Sequence, residues 1–182
     1  AFVTEARQMH DFLTGIDALQ LTMMPDYPDY YGERPGAKAD GGRSLDNELF
    51  DFTTLGAWKD RVFANGPAPR MMLRETPLGG SSGMLDPAVL QKRAERDQRG
   101  WGQALVGRLL KACLDRGIEP LLSCGGYRLT VDNGRVTGAI VERNGQQDIM
   151  AARQGVILAT GGFEWNEALK HAFLRGPLDA PA

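Results

Sequence analysis

Tyr27, Tyr30 and Tyr31 sit close together in a stretch rich in proline and glycine, and a phenol is a side chain able to do acid–base work. With an ordinary pKa of about 10 it donates a hydrogen bond to a carbonyl oxygen as it stands, and it acts as a base where its surroundings depress that value. A second stretch, Gly155-Val156-Ile157-Leu158-Ala159-Thr160-Gly161-Gly162, offers something else. Its apolar run fits a strand buried on both faces, as in parallel sheets. The glycines that follow carry no Cβ, so a ligand can reach contact distance of the backbone. In open α/β sheets ligands bind just beyond the carboxyl ends of strands, which makes this a ligand-approach turn. Read alone, the same two glycines also fit the plain end of a strand.

Other residues with chemical potential are weaker candidates. Arg43, after Gly41-Gly42, suits either a carboxylate or phosphate partner or an ordinary surface position. Gly79-Gly80-Ser81-Ser82-Gly83 reads as a loop or a phosphate cradle, but no strand signal precedes it. Gly100 and Gly102 are followed by Gly107, the wrong spacing for the Gly-x-Gly-x-x-Gly dinucleotide fingerprint. His10 and His171 lie far apart with no partner at metal-ligand spacing, so no metal site is expected. Cys113 and Cys124 form no Cys-x-x-Cys pair and read as reduced, buried small hydrophobes. No Gly-x-Ser-x-Gly nucleophile elbow is present.

The elements that must position these groups are legible to different degrees. Residues 1–14 read as an amphipathic helix with Phe2, Met9, Phe12 and Leu13 as core contacts and Gly15 as its stop. From Pro25 to Gly42, three prolines and four glycines in 18 residues preclude regular structure. A loop of that length in a compact protein is functional or disordered, and its tyrosines argue against disorder, since they offer large surfaces either to pack on their own domain or to contact a ligand. Leu55–Ala64 suits a short helix, and Asp86-Pro87 opens another that runs to about Gln98, with a charged and solvated surface from Lys92 to Arg99. Gln103–Arg116 is a helix with Val106, Leu109, Leu110 and Cys113 on one face, closed by Gly117. A strand over Ile118–Ser123 and another over Tyr127–Val131 follow. Asn133-Gly134 and Asn144-Gly145 are hairpin turns, joining Tyr127–Val131 to Arg135–Glu142 and then to Gln147–Ala151. The buried strand at 155–159 completes the series, and Asn166–Leu174 has a helical pattern.

Composition narrows the function classes. The chain of 182 residues carries 21 basic and 23 acidic side chains, a balance that gives no reason to expect nucleic acid or an anionic membrane as partner. No apolar run is long enough to span a bilayer. Glu5, Asp11 and Asp17 break up the first segment, which does not read as a signal peptide, and a cytoplasmic location is expected. The chain begins at Ala1 within a helical pattern and stops at Ala182 within a loop, so an internal piece of a longer polypeptide is expected.

The order of elements, together with G-Q-A-L-V (102–106), D-R-G-I-E-P-L (115–121), D-N-G-R-V-T-G-A-I-V-E (132–142) and G-V-I-L-A-T-G-G-F-E-W-N (155–166), resembles the fumarate reductase/succinate dehydrogenase flavoprotein superfamily. F-E-W-N, F-L-R-G-P (173–177) and the upstream P-D-Y and G-G-R-S-L are similar to its FAD-dependent 3-ketosteroid dehydrogenases. The resemblance implies an α/β fold, part of a Rossmann-like FAD-binding domain with an inserted antiparallel β-meander. Residues 1–97 would then be the active-site-facing helical and loop segment, and 98–182 the FAD-domain core. It implies FAD as cofactor, with Gly126 at a backbone contact to adenine, where the family carries Val or Ala. Ala159, Thr160, Gly161 and Gly162 would form the turn against the adenosine and pyrophosphate side.

The same resemblance implies an active-site tyrosine from this part of the chain, Tyr30 first and Tyr31 second, and a small-molecule substrate of the steroid or cyclic-ketone kind. The implied reaction is dehydrogenation by hydride transfer to flavin. Two alternatives accompany it: a fumarate-reductase-like reductase of an activated C=C bond, whose arginine donor would lie beyond residue 182, and a truncated, non-catalytic remnant of the FAD domain. The substrate itself, the electron acceptor and the oligomeric state are not specified by the sequence.

Overall fold

The computed structural model describes residues 2–176, and these fall into two compact units, Ala1–Glu119 and Pro120–Ala182. The Phe2 side chain, an expected core contact, and Pro177 of the F-L-R-G-P motif lie outside the described residues.

In the first unit, helix α1 (Phe2–Gly15) is followed by β1 (Leu21–Met23), which pairs antiparallel with β2 (Leu45–Asn47). The tyrosine-rich stretch connects these two short strands. Next come β3 (Phe50–Asp51) and a 3-10 turn, Phe52–Arg61, kinked at Gly56. Asp51 starts that turn by accepting the Thr53 N–H at 2.9 Å, which satisfies one of its unpaired donors. Helix α2 (Pro87–Glu95) has Asp86 as its cap, accepting from the Ala88 N–H at 2.8 Å, with proline in its first turn. β4 (Gln98–Arg99) pairs antiparallel with β3, and α3 (Trp101–Leu114) follows.

The core of this unit is built from Phe50, Phe52, Leu55 and Ala104, with Trp58, Val62, Leu110 and Leu114 packed against it. Phe50 and Phe52 meet edge to face, 5.7 Å between centroids, and Phe52 is fully buried. Helix α3 reaches them through its smallest residue: a Cβ on Gly107 would stand 2.8 Å from both rings. The face of α3 therefore differs from the expected one. Val106 is half exposed, while Ala104 and Gly107 are buried, because two aromatic rings fill the space that large aliphatics would need. In α1, Met9 and Phe12 are exposed and only Leu13 of the described expected contacts is partly covered.

The second unit is led by a meander of β5 (Cys124–Asp132), β6 (Arg135–Arg143) and β7 (Gln146–Ala151), antiparallel throughout. Its turns are the two Asn-Gly pairs, with φ of 47° and 77° at Asn133 and Gly134 and of 53° and 74° at Asn144 and Gly145. Positive φ at both central residues matches the right-handed twist of the flanking strands. Helix α4 (Glu167–Phe173) closes the described part, capped by Asn166, which accepts the Leu169 N–H at 3.0 Å.

Two expected strands do not form. Ile118–Ser123 is coil and turn, β5 beginning only at Cys124, and Ala152–Asn166 holds neither helix nor strand. The apolar run is not buried: Ile157 is 94% and Leu158 67% exposed. A strand covered on both faces needs neighbouring strands and a layer on each side, and among the described residues no parallel strand pair is present. The fold shown is a mixed assembly of helices and small antiparallel sheets.

Candidate functional site

The tyrosine loop is ordered by its own contacts. Its neck is closed by Met24 N–H to Ser44 O at 2.8 Å and Gly42 N–H to Met24 O at 3.1 Å, continuing the β1–β2 ribbon. Further out, Asp29 N–H donates to Lys38 O at 3.0 Å, and Lys38 N–H returns to the Asp29 carboxylate at 2.8 Å. Arg43 also donates to that carboxylate and, through the same Nη2, to Gly36 O at 2.7 Å. Arg43 is thus neither a free surface arginine nor an open anion receptor: it ties the loop together. Gly41 has a φ of 87°, and a Cβ there would stand 2.6 Å from Tyr27 N, so close packing of the returning chain requires glycine at this point.

This framework presents the three tyrosines differently. Tyr27 is half-buried. Tyr30 is 95% exposed, its phenol free to meet a ligand. Tyr31 is also exposed, with the Arg34 guanidinium 4.3 Å from its ring centroid, a cation–π contact. The loop therefore offers two exposed phenols, the second with a cation against its ring face.

Behind the loop lies a set of ion pairs that sequence reading does not reveal. Asp46, buried on β2, accepts the Arg74 N–H at 2.9 Å. The Arg74 Nη2 donates to both oxygens of Glu48 at 2.6 and 2.7 Å. Burial pushes the Glu48 carboxyl up, but the Thr22 hydroxyl and Arg74 outweigh it and hold the group below its ordinary range. Arg74, beside the glycine cluster, is thus already paired with two carboxylates, Glu48 and Asp46. Gly79 ends a tight turn, Pro77–Gly79, in which it is buried and which Thr76 caps, and Ser81 to Gly83 carry no regular structure. Arg93 pairs with both oxygens of Glu75 at 2.7 Å, and Arg99 and Arg70 share Asp97. The charged surface expected from Lys92 to Arg99 is thus partly a half-buried pairing layer. Glu75 and Arg70 come to it from 18 and 27 residues away, which a local pattern cannot announce, whereas Arg99 and Asp97 are near neighbours in the chain.

The expected cofactor residues sit in the second unit. Gly126 lies on β5 opposite Val141, beside a break in strand register, and is exposed with open space where a Cβ would stand. Ala159, Thr160, Gly161 and Gly162 form an exposed irregular segment. Gly161 has a φ of 77°, a left-handed conformation that glycine adopts without strain, and nothing lies within 4 Å of its Cβ position. Uncovered peptide groups of this kind fit a flat ring or sugar at van der Waals distance, as one side of FAD would need. Beside Gly162 the Glu164 carboxylate fills the Cβ position, so an approaching phosphate requires that side chain to turn away. Among the described residues no cluster of metal-ligating side chains occurs, and no helix is long and apolar enough to cross a membrane. Cys113 and Cys124 are free thiols, each half-buried.

Comparison with known proteins adds to this geometry. A family described as "FAD binding domain" matches residues 1–178. The chain is 34% identical to 4-oxocyclohexanecarboxylate 2-dehydrogenase of Sinomonas cyclohexanicum over 185 residues, 98% of the chain and 31% of that protein. It is 33% identical to 3-oxosteroid 1-dehydrogenase of Comamonas testosteroni, covering 97% of the chain and 34% of the relative. Its fold is similar to the crystal structure of 3-ketosteroid delta1-dehydrogenase from Sterolibacterium denitrificans in complex with 1,4-androstadiene-3,17-dione. The TM-score is 0.73 at 28% identity, over 97% of this chain and 36% of that one. The chain spans about a third of the length of the relatives it matches.

Proposed function

Because the chain belongs to the FAD binding domain family, we propose that it supplies a cofactor-facing turn and a substrate-facing loop to an FAD-dependent dehydrogenase of 3-ketosteroids or similar cyclic ketones. FAD is the cofactor, and when bound it supplies a hydride acceptor at the flavin N5. The reaction removes two hydrogens from adjacent carbons beside a ketone. The hydrogen next to the carbonyl leaves as a proton, the one on the neighbouring carbon leaves with its electron pair, and a C=C bond forms between them.

The chain's own residues handle the carbonyl end. Tyr30 donates a hydrogen bond to the ketone oxygen, which draws electron density from the adjacent carbon and eases removal of its proton. Tyr31 is the second candidate for that role. Ala159, Thr160, Gly161 and Gly162 hold the adenosine and pyrophosphate side of the cofactor, and the Gly126 backbone holds the adenine. The observation that carries this reading is the free Tyr30 phenol on a loop pinned by its own contacts. It is supported by similarity along nearly the whole chain to dehydrogenases of ring ketones.

The test is anaerobic mixing of the flavin-loaded protein with a 3-oxosteroid and, separately, with 4-oxocyclohexanecarboxylate. Loss of the oxidised-flavin absorbance with either ketone is the expected result. If both leave it unchanged while fumarate reoxidises chemically reduced protein, the enzyme is a C=C reductase instead. A flavin that answers to neither overturns both readings.

A further inference from the structure

We infer that Asp29 and Arg43 are positioning residues for the tyrosine loop, fixing Tyr30 and Tyr31 before substrate arrives; this rests on the reading of those tyrosines as substrate-facing. A half-exposed ion pair is ordinarily a weak contact. This one joins four points of a segment that has no regular structure. The Asp29 carboxylate receives the Lys38 N–H at 2.8 Å and Arg43, and Arg43 reaches on to Gly36 O at 2.7 Å. The Asp29 N–H adds its own bond to Lys38 O at 3.0 Å. The chain on either side of the tyrosines is therefore stitched together by one carboxylate and one guanidinium. Asp29 directly precedes Tyr30, so the backbone that aims the phenol is the backbone that the carboxylate holds.

The identity of each partner matters. A guanidinium presents several N–H donors in a fixed plane and can serve a carboxylate and a carbonyl at once, whereas an ammonium is a flexible point charge. Lysine at position 43 therefore keeps the attraction to Asp29 but loosens the reach to Gly36. An amide at position 29 keeps an acceptor for Lys38 and loses the charge that holds Arg43. Pre-ordering of this kind acts on turnover more than on affinity, because a reacting group displaced by about 1 Å costs on the order of 100-fold.

The experiment compares Arg43→Ala, Arg43→Lys and Asp29→Asn with Tyr30→Phe and Tyr31→Phe in the flavin-loaded protein, scoring kcat per bound flavin, KM and chymotryptic cleavage after Tyr30 and Tyr31. Arg43→Ala is expected to lower kcat per flavin about 10- to 100-fold with KM changed less, to speed cleavage, and to be partly rescued by Arg43→Lys. If a tyrosine variant abolishes turnover while Arg43→Ala and Asp29→Asn keep full kcat per flavin, the positioning role is overturned and the tyrosine reading stands. If both tyrosine variants keep full turnover, the tyrosine reading fails and the positioning role fails with it.

Discussion

Two short stretches meet opposite fates in this molecule: Phe50 to Leu55, where Phe50, Phe52 and Leu55 are spaced by polar residues, and the unbroken apolar run Val156 to Ala159. Phe52 is completely buried, whereas Ile157 is 94% exposed. The first stretch finds its cover within its own unit: α3 brings Ala104 and Gly107 over the two rings, and Arg99 lays its guanidinium 3.8 Å from the Phe52 centroid. The second has no strand beside it among the described residues. Apolar sequence is thus a demand for cover, and whether it is met depends on what else the unit contains. The tyrosine loop makes the complementary point, since a stretch with no apolar periodicity is tied together by hydrogen bonds and an ion pair.

That comparison can be broken at several points. Phe52→Ala should cost the most, about 3–5 kcal/mol, read as a lower midpoint in urea unfolding, because the cavity lies between rings that cannot collapse. A loss under about 1 kcal/mol would mean that this core is not packed as described.

The Asp97 cluster should come next. Hydrogen bonds from Arg99, opposed by burial and aided by Arg70, hold the Asp97 carboxyl down to about 2. The folded value lies below the unfolded one, so the stabilisation is complete above about pH 4 and is lost as pH falls toward 2. Asp97→Asn should remove about 2 kcal/mol at neutral pH and flatten the acid limb of the stability profile. An unchanged limb would assign the acid sensitivity to other groups.

Ile157→Ser should change stability least, by no more than about 0.5 kcal/mol in the same unfolding measurement. A cost comparable to that of Phe52→Ala would show that the run is covered after all.

What the sequence disclosed follows the same divide between local and non-local causes. Both Asn-Gly hairpins are present because turn chemistry is contained in a few adjacent residues. The Asp86 cap with its proline was legible for the same reason. The buried face of α3 was not, since its choice of Gly107 over Val106 reflects two aromatic rings supplied from β3 and the turn after it. Nor were the pairs Arg93–Glu75 and Arg70–Asp97, because their members lie 18 and 27 residues apart and meet through the fold. At the candidate site, the tyrosines and the glycine turn stand out by residue type, while the Asp29–Arg43 clamp emerges only when the loop is closed.

The most direct measurement is the rate at which a 3-oxosteroid bleaches the bound flavin under anaerobic conditions, in the wild type and in the Tyr30→Phe, Tyr31→Phe double variant. Loss of the phenol proposed to polarise the ketone is expected to slow bleaching by about 100-fold or more with flavin content unchanged. Equal rates in the two proteins would contradict the assignment of this loop to the substrate.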